Sequence, residues 1–363
     1  MPSIITSPDD PALAELCREL SARSTALDLS CDWPAEQLRL CGEYGVYQWF
    51  AGEAWGGQAW PQVDVLRGYM ALASACLTTT FILTQREGAC RRIESSANAA
   101  IQAKLLPRLT QGDLFATVGI SHLTTSRRHM ARSVLQATRV DGGFVLDGFS
   151  PWVTGGDHAD YVVVGATIMD GDEPTAEQLL AAVPTTLLGI TVAEPAKLVG
   201  LSASHTGQFR LNQAFVEDEW IIAGPVENVM ASGSGAGTGG LGTSTLALGL
   251  TRAAIRYIEE QSQARDELQA PLVALQDESR QLEADLLAAV RGEPACSNDE
   301  LRGRANGLVL RSTQAALAAA KGAGYLSDHP AGRWCREALF FLVWSCPQPV
   351  LSAQLCTLAG ILD

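Results

Sequence analysis

Three blocks of hydrophobic and polar positions divide the chain. In residues 1–112, apolar residues such as Leu16 and Leu20 recur at helical spacing. In residues 113–224, β-branched and alternating runs lie between turn residues, which is typical of strands. Helical spacing returns in residues 225–363. The pattern predicts an α+β fold with an N-terminal helical domain, a central β domain of sandwich or barrel type, and a C-terminal helical bundle.

The same pattern predicts individual elements. The mostly apolar run Val63–Thr84 indicates one long buried helix, and Gly332–Trp344 indicates the last helix. Val140–Thr167 indicates β structure, in which Asp147-Gly148 forms a tight turn because glycine accepts a positive φ. The Gly/Ser-rich stretch Gly224–Gly242 is a flexible linker, a close-packed helix start or a cradle for a phosphate. It lacks the GxxxxGK[ST] pattern, so it is not a P-loop.

Composition narrows the classes of function. The 363 residues are 47% hydrophobic and 18% charged, as in globular proteins, and the net charge is −14. This charge argues against nucleic-acid partners and anionic membrane surfaces. Nine cysteines without a CxxC pair, and no visible secretory signal, predict reduced thiols in a cytoplasmic protein. No apolar run is long enough to span a bilayer, and no histidine has metal-ligand spacing, so no metal site is expected.

Trp152 and Thr154 are the first candidates for chemistry. Residues two apart on a strand project from the same face. An indole and a hydroxyl placed in this way can support a flat heteroaromatic ring, the indole against the ring and the hydroxyl donating to a ring nitrogen. An ordinary hairpin with a core tryptophan explains the same residues, so the short motif alone leaves both interpretations open.

A resemblance to a known family rests on segments that occur in one order along nearly the whole chain. The hairpin Gly142–Thr154 looks like the pattern "DG.y.lnG.K.WiT". The other segments are Trp55-Gly56-Gly57, Lys104–Asp113, Gly200–Thr206, Leu248–Arg252, Arg265–Gln276, Lys321–Tyr325 and Arg336–Ala338. Together they resemble the acyl-CoA dehydrogenase family of flavoproteins. The resemblance implies a homodimer or homotetramer of subunits that end in a four-helix bundle, with FAD between the β domain and the bundle.

The resemblance also implies roles for single residues. Trp152 would flank the isoalloxazine, Thr154 would hydrogen-bond near its N5, and Ser121 or His122 would take the hydroxyl position of the flavin loop. Trp344 would replace an aromatic residue that packs on the flavin. Arg265 and Gln276 would bind FAD from across the subunit interface, with the Arg265 guanidinium on the pyrophosphate. Gly322 would let the backbone approach the adenosine part, and Leu268 would be the further cofactor-binding residue of the Arg265–Gln276 segment.

The position of the family's catalytic glutamate departs from the pattern. It falls on Ser345, within the triplet Trp344-Ser345-Cys346, and no Asp or Glu occurs from Ala338 to Leu362. Abstraction of an α proton requires a base within hydrogen-bond reach of the carbon. The family's other base position aligns near Gly239, among small residues. His122 is the first candidate for a replacement base, because the pKa of histidine lies near neutrality.

Three further side chains have two interpretations each. Arg127 and Arg128 stand where the flavin loop has lost its glycine pair, and they either meet a phosphate or carboxylate or are surface charges. Cys346 is either a nucleophile or an inert core residue.

Three hypotheses about function follow. The first is an FAD-dependent oxidoreductase that acts on an acyl thioester, linked to CoA or to a carrier protein, through a non-standard base. The second is a two-component flavin-dependent monooxygenase of the same fold, which receives reduced flavin from a partner reductase and lacks the glutamate for that reason. The third is a catalytically silent homologue that binds an acyl group or a partner.

Overall fold

The computed structural model describes residues 3–124, 134–231 and 240–361, and Arg127, Arg128 and Gly239 lie outside them. The helices are α1 (Pro11–Ser30), α2 (Ala35–Glu43), α3 (Gln62–Ala75), α4 (Leu77–Glu94), α5 (Ala99–Gln111), α6 (Ser121–Thr124), α7 (Leu241–Ser262), α8 (Gln269–Val290), α9 (Asn298–Ala320), α10 (Pro330–Ala338), α11 (Phe340–Val343) and α12 (Gln348–Leu358). The strands are β1 (Ala116–Gly119), β2 (Leu135–Val140), β3 (Gly143–Thr154), β4 (Tyr161–Asp170), β5 (Glu173–Pro184), β6 (Ile190–Val192), β7 (Thr206–Glu217) and β8 (Ile221–Glu227). This order of helices, strands and helices confirms the predicted fold class. The domain boundaries at residues 112 and 224 stay predictions.

The strands of the described residues join in one sheet of order β6-β7-β3-β2-β4-β5-β8. Both β1 and β2 pair with β4 in parallel, β1 opposite its first half and β2 opposite its second. The two strands therefore lie end to end along one side of β4. Between the two pairings, the chain leaves the sheet through α6 and returns. This break places α6, with Ser121 and His122, at the middle of the sheet.

The predicted turn at Asp147-Gly148 is wrong, because both residues lie inside the continuous strand β3. The register of β3 against β7 shifts between Leu146 and Gly148, which is a β-bulge. Gly148 has a φ of +126°, and a Cβ there would lie 2.2 Å from the carbonyl oxygen of Val134. The glycine is thus needed for the bulge and for the close approach of β2, not for a reversal of the chain.

Two helix predictions also need correction. The run Val63–Thr84 is not one helix, because Cys76 is extended at φ −153° and separates α3 from α4. Cys76 is the N-cap of α4, and its carbonyl accepts the first helical bond from the Thr80 amide at 3.2 Å, together with the Thr80 hydroxyl at 2.8 Å. The predicted last helix Gly332–Trp344 is divided into α10 and α11. It is followed by α12, which has Pro349 in its first turn.

Two hydrophobic clusters form the core. One joins the N-terminal helices to the sheet, and the other fills the space between α7, α8 and α9. Helices α3 and α4 contribute to both, since Tyr69 and Leu72 belong to the first while Met70 and Phe81 belong to the second. A Cβ on Gly249 of α7 would lie 2.6 Å from the Cβ of Ala73, so α3 and α7 are in close contact. Among the helices of the described residues, none has the length and apolar character of a membrane span.

Candidate functional site

A cavity of about 590 Å³ lies where the sheet, α4, α7 and the α10–α11 segment meet. Four of the residues predicted to form a site line it: Ser121, Trp152, Trp344 and Ser345. Its volume is in the range of small-molecule sites, and much of its wall is apolar, as in such sites. The structure therefore brings the predicted β-domain side and the predicted bundle side of the site to one place.

An aromatic cluster forms the bundle side of the cavity. The Trp344 and Phe340 rings stack at 5.4 Å, and Phe81 of α4 meets Trp344 edge-on at 4.8 Å. The buried Arg302 guanidinium donates from Nη2 to the carbonyl oxygens of Trp344 at 2.9 Å and Phe341 at 3.3 Å. A cation suits the carbonyl-rich end of α11. Arg302 thus fixes the backbone that presents Trp344 to the cavity.

The sheet side offers an indole and a chain of hydroxyls. The Trp152 side chain is 41% exposed and lines the cavity. Thr154 is buried, and its Oγ1 lies 3.0 Å from Oγ1 of Thr206, which in turn lies 2.8 Å from Oγ of Ser204. A hydroxyl accepts two hydrogen bonds and donates one. Thr206 lines the cavity, so it can accept from both neighbours and donate its own proton inward.

The charge in the cavity wall is positive. Among the described residues that line it, the titratable side chains are Arg92 and Arg336. Burial lowers the pKa of Arg92 to about 10, which still leaves the guanidinium charged at neutral pH. Arg336 pairs with Asp28 of α1. The described wall therefore contains no carboxylate or imidazole that could accept a proton from a bound molecule.

His122 lies beside the cavity and is not part of the described wall. Its imidazole is 6% exposed, and Nε2 lies 2.7 Å from the carbonyl oxygen of Gly165. A carbonyl accepts only, so Nε2 carries the proton, while Nδ1 is buried without a hydrogen-bond partner in the described structure. Burial lowers the pKa of His122, which keeps the ring neutral at pH 7. Gly165 lies on β4 between the residues that pair with β1 and those that pair with β2. At this gap the imidazole of His122 donates a hydrogen bond to the Gly165 carbonyl.

Ser345 follows α11 at a φ of +45°, a conformation that non-glycine residues rarely adopt. It lines the cavity, as expected for a residue that the motif resemblance aligns with the family's glutamate. The neighbouring Cys346 does not line the described cavity, and burial raises the pKa of its thiol. A raised thiol pKa disfavours the nucleophilic interpretation of Cys346.

The remaining predicted residues lie away from the cavity, around the α7–α8 connection. Arg265 donates to the Ala319 carbonyl at 2.7 Å, and Leu268 follows it in the same connection. Gln276 of α8 reaches Glu259 of α7, with 3.4 Å between Nε2 and Oε1. Gly322 follows α9, and a Cβ added to it would meet no atom within 4 Å. Arg265 thus approaches the end of α9, just before Gly322.

Comparisons with known proteins agree with this architecture. Benzylmalonyl-CoA dehydrogenase of Aromatoleum aromaticum is 25% identical over 355 residues, 89% of each chain. Mitochondrial isovaleryl-CoA dehydrogenase of Oryza sativa subsp. japonica is 23% identical over 89% of this chain and 83% of its own. Glutaryl-CoA dehydrogenase from Mycobacterium smegmatis, solved with FADH2, has a TM-score of 0.78 at 17% identity, covering 97% of this chain and 96% of its own.

The chain has the acyl-CoA dehydrogenase fold. Its curated relatives are acyl-CoA dehydrogenases, which are flavin-dependent oxidoreductases, and the resemblance predicted from the motifs is confirmed. No protein-family model matches the chain.

Several cavity residues were not predicted from the sequence. The polar ones among them are Thr84, Gln85 and Arg92 of α4, Thr206, Thr243 and Arg336. Thr206 and Arg336 belong to the family-like segments Gly200–Thr206 and Arg336–Ala338. A polar side chain within such a segment is a signal from which both residues could have been predicted. The face that α4 turns to the cavity depends on its packing against the sheet and α7, and the sequence pattern does not contain that information.

Glu337, next to Arg336, is buried where α10 meets α1. Its Oε1 lies 3.5 Å from Nε of Arg333, whose Nη1 also donates to Ser24 of α1 at 2.8 Å. Burial raises the pKa of Glu337 from 4.5 to about 7, although Arg333 opposes the shift. The folded state thus binds this proton more tightly than the unfolded chain does. The protonated Glu337 carboxyl therefore makes its full contribution to stability below pH 4.5, and this contribution is lost as the pH rises through 7.

We expect Glu337→Gln to flatten the dependence of stability on pH. The wild type should lose up to about 3 kcal/mol of unfolding free energy at this site between pH 4.5 and pH 8, and the variant should not lose it. Urea unfolding of both proteins across this range measures the difference. Glu278→Gln, which removes the partner of Arg311 on the bundle surface, should keep the wild-type profile. Parallel profiles for wild type and Glu337→Gln would contradict the assignment.

Proposed function

We propose that the chain is an FAD-dependent oxidoreductase that removes a hydride from Cβ and a proton from Cα of an acyl thioester. The observation that carries the proposal is the cavity that Trp152 enters from the sheet and Trp344 from the bundle. The indole and the Thr206 hydroxyl fit a flat heteroaromatic ring that needs both a stacking surface and a donor. When bound, the flavin supplies the hydride acceptor.

The residues of this chain would bind and orient the two reactants. Trp152 would flank the ring, and Thr206, supported by Thr154 and Ser204, would donate to it. Trp344 and the apolar α4 and α7 residues would exclude water from the reacting carbons. The guanidinium of Arg92, one of the two charged groups in the described wall, would attract an anionic or carbonyl-bearing part of the substrate. His122, through its unpaired Nδ1, remains the candidate base.

Arg265, Leu268, Gln276 and Gly322 would hold the FAD of a second copy in a homo-oligomer. Their common location around the α7–α8 connection, away from the cavity of their own chain, supports this role. Arg265 also bonds the Ala319 carbonyl, so Arg265→Ala should both lower FAD affinity and loosen the end of α9. Arg265→Lys separates the two effects, because an ammonium can cap a carbonyl but cannot bind a diphosphate bidentately. Full FAD affinity in Arg265→Lys would exclude the diphosphate role.

A flavin-dependent monooxygenase is the second candidate function. One observation favours it: the described wall of the cavity has no carboxylate or imidazole. Oxygen activation by reduced flavin does not require a base for an α proton. In this alternative, a partner reductase would supply the reduced flavin.

Purification followed by anaerobic titration tests the proposal. We expect the protein to bind FAD, and isovaleryl-CoA, butyryl-CoA or glutaryl-CoA to bleach the flavin absorbance without oxygen. Bound flavin that no acyl-CoA bleaches, together with product that requires oxygen and a reductase, would select the monooxygenase. Failure to bind added FAD or FMN would leave only the silent homologue. Trp152→Ala should weaken FAD binding and Trp152→Phe should restore part of it, because phenylalanine retains a stacking surface.

A further inference from the structure

Asp157, His158 and His205 converge on the surface of the β domain, away from the cavity. Their ligand atoms all lie within 4.8 Å of one another. Asp157 and His158 follow β3, and His205 directly precedes β7. Oδ2 of Asp157 lies 2.7 Å from Nδ1 of His205 and 3.5 Å from Nε2 of His158. Two imidazoles therefore share one carboxylate oxygen, although the residues are far apart in the chain.

Both nitrogens of His205 face an acceptor. Nδ1 faces the Asp157 carboxylate, and Nε2 lies 3.3 Å from the carbonyl oxygen of Cys31. A neutral imidazole has only one N–H. The shorter contact favours that proton on Nδ1, facing the carboxylate, when no metal is bound. A metal ion on Nδ1 would take the place of this proton and leave the N–H on Nε2, facing the Cys31 carbonyl. A bond from the other nitrogen to a backbone carbonyl is the usual support of a metal-bound histidine.

Trp33 fixes the second imidazole. The rings of Trp33 and His158 stack at 4.4 Å with an interplanar angle of 11°, and the His205 ring lies 5.7 Å from the same indole. A Cβ on Gly155 would lie 2.5 Å from Trp33, so the indole is in close contact with the turn after β3. The Gly155 amide faces the carbonyls of Ser204 and His205, both at 3.0 Å. The two turns and the indole thus hold the ligand atoms in place before any ion binds.

We propose that Asp157, His158 and His205 bind a divalent transition-metal ion of the Zn²⁺ type. Imidazole and carboxylate are common zinc ligands, and the ligands of a tetrahedral site lie about 3.3–3.5 Å apart. The separation from Asp157 to His158 already has this value, and that to His205 must open by less than about 1 Å. His158 and Asp157 are exposed, so the ion can enter and water can complete the coordination.

The ion would join the N-terminal helices to the β domain. His205 is tied to the carbonyl of Cys31, the residue that caps α1, and Trp33 follows it in the connection to α2. His205 is also the neighbour of Thr206, whose hydroxyl faces the cavity. Metal binding would therefore stabilise the turn that supports Thr206. This assignment does not depend on the proposed oxidoreductase function.

Titration of the chelator-treated, full-length protein with Co²⁺ and Zn²⁺ tests the site. We expect one ion per chain, a visible Co²⁺ spectrum without a thiolate charge-transfer band, and a rise in Tm as Zn²⁺ is added. Loss of supporting groups around a metal costs about 10–100-fold in affinity, so His158→Gln and His205→Gln should each cost about 100-fold or more. His329→Gln removes an imidazole that bonds the α10 backbone and should leave the affinity unchanged.

Three results would overturn the proposal. The first is the absence of saturable binding. The second is an equal affinity for the metal in the wild type and in both histidine variants, His158→Gln and His205→Gln. The third is a thiolate-to-Co²⁺ charge-transfer band, which would place the ion on cysteine. Matching metal-free Tm values for His205→Gln and the wild type establish that a loss of binding is not a loss of folding. If His205→Gln unfolds, Asp157→Asn, which retains the shape of the side chain, serves as the second variant and should lower the affinity in the same way.

Discussion

The Ser345→Glu variant should be reduced by an acyl-CoA about 10²–10⁴ times faster than the wild type, which is the usual contribution of a positioned general base. Ser345 lines the cavity, and the motif resemblance aligns it with the family's catalytic glutamate. The described wall contains no other carboxylate or imidazole. The new carboxylate would share the cavity with Arg92 and Arg336, and these positive charges favour its ionised form.

Ser345→Gln is the matched control for this prediction. Glutamate and glutamine have the same size, and both experience the backbone strain of a positive φ at position 345. Only glutamate can take a proton from the substrate. Anaerobic stopped-flow measurement of flavin bleaching gives the rate for both variants across pH. Equal rates for the two variants would show that proton abstraction at this position is not what limits the reaction, which would favour the monooxygenase function.

The Arg86→Ala variant should lower the free energy of unfolding by about 3–5 kcal/mol, because it removes a donor from each of two buried carbonyls and opens a cavity. The Leu109 carbonyl keeps the Gly112 amide as a second donor, whereas the Leu114 carbonyl loses its side-chain donor. Arg86 of α4 is 1% exposed. Its Nη2 donates to the carbonyl of Leu109 near the end of α5 and, at 3.1 Å, to that of Leu114 before β1. Its guanidinium lies 3.9 Å from the centre of the Tyr47 ring. One side chain thus joins α4, α5 and the start of the sheet.

Chemical unfolding of Arg86→Ala beside Arg280→Ala measures this effect. Arg280 lies on the surface of α8, so its loss should change the midpoint far less. Arg86→Lys should be intermediate, because an ammonium retains the charge but lacks the planar guanidinium that lies over the Tyr47 ring. The prediction fails if Arg86→Ala and Arg280→Ala unfold at the same denaturant concentration.

Much of the fold could be predicted from the sequence, because helices and strands leave patterns among residues that are close together in the chain. Periodicity and turn residues were enough to predict the order of helices, strands and helices. Gly148 shows the limit of such reasoning: Asp-Gly is a strong turn signal, yet the neighbouring carbonyl of Val134 turns this glycine into a bulge. The break at Cys76 has no proline or glycine to announce it, and the extended backbone of Cys76 that separates α3 from α4 is visible only in the structure.

The site residues that belong to family-like motifs could be predicted from the sequence. Ordered motifs indicated Trp152, Trp344 and Ser345, and these residues line one cavity. Arg92 and Gln85 were missed because the orientation of a buried helix is decided by what packs on both of its sides. His158 and His205 were judged unlike metal ligands by their spacing along the chain. They meet only because β3 and β7 are neighbours in the sheet, a pairing that the sequence does not reveal.

Helices α3 and α4 contribute residues to both hydrophobic clusters, so the chain cannot be divided into two fragments that each keep a complete core. A fragment that ends before α7 would keep its fold around Tyr69 and Leu72 but would expose Met70, Ala73, Leu77 and Phe81 to water. Such an apolar stripe promotes aggregation. The bundle expressed alone would lack the same four side chains from its own interior. Protease cleavage in the connection before α7 should therefore release no soluble half, and the two regions should unfold in one transition.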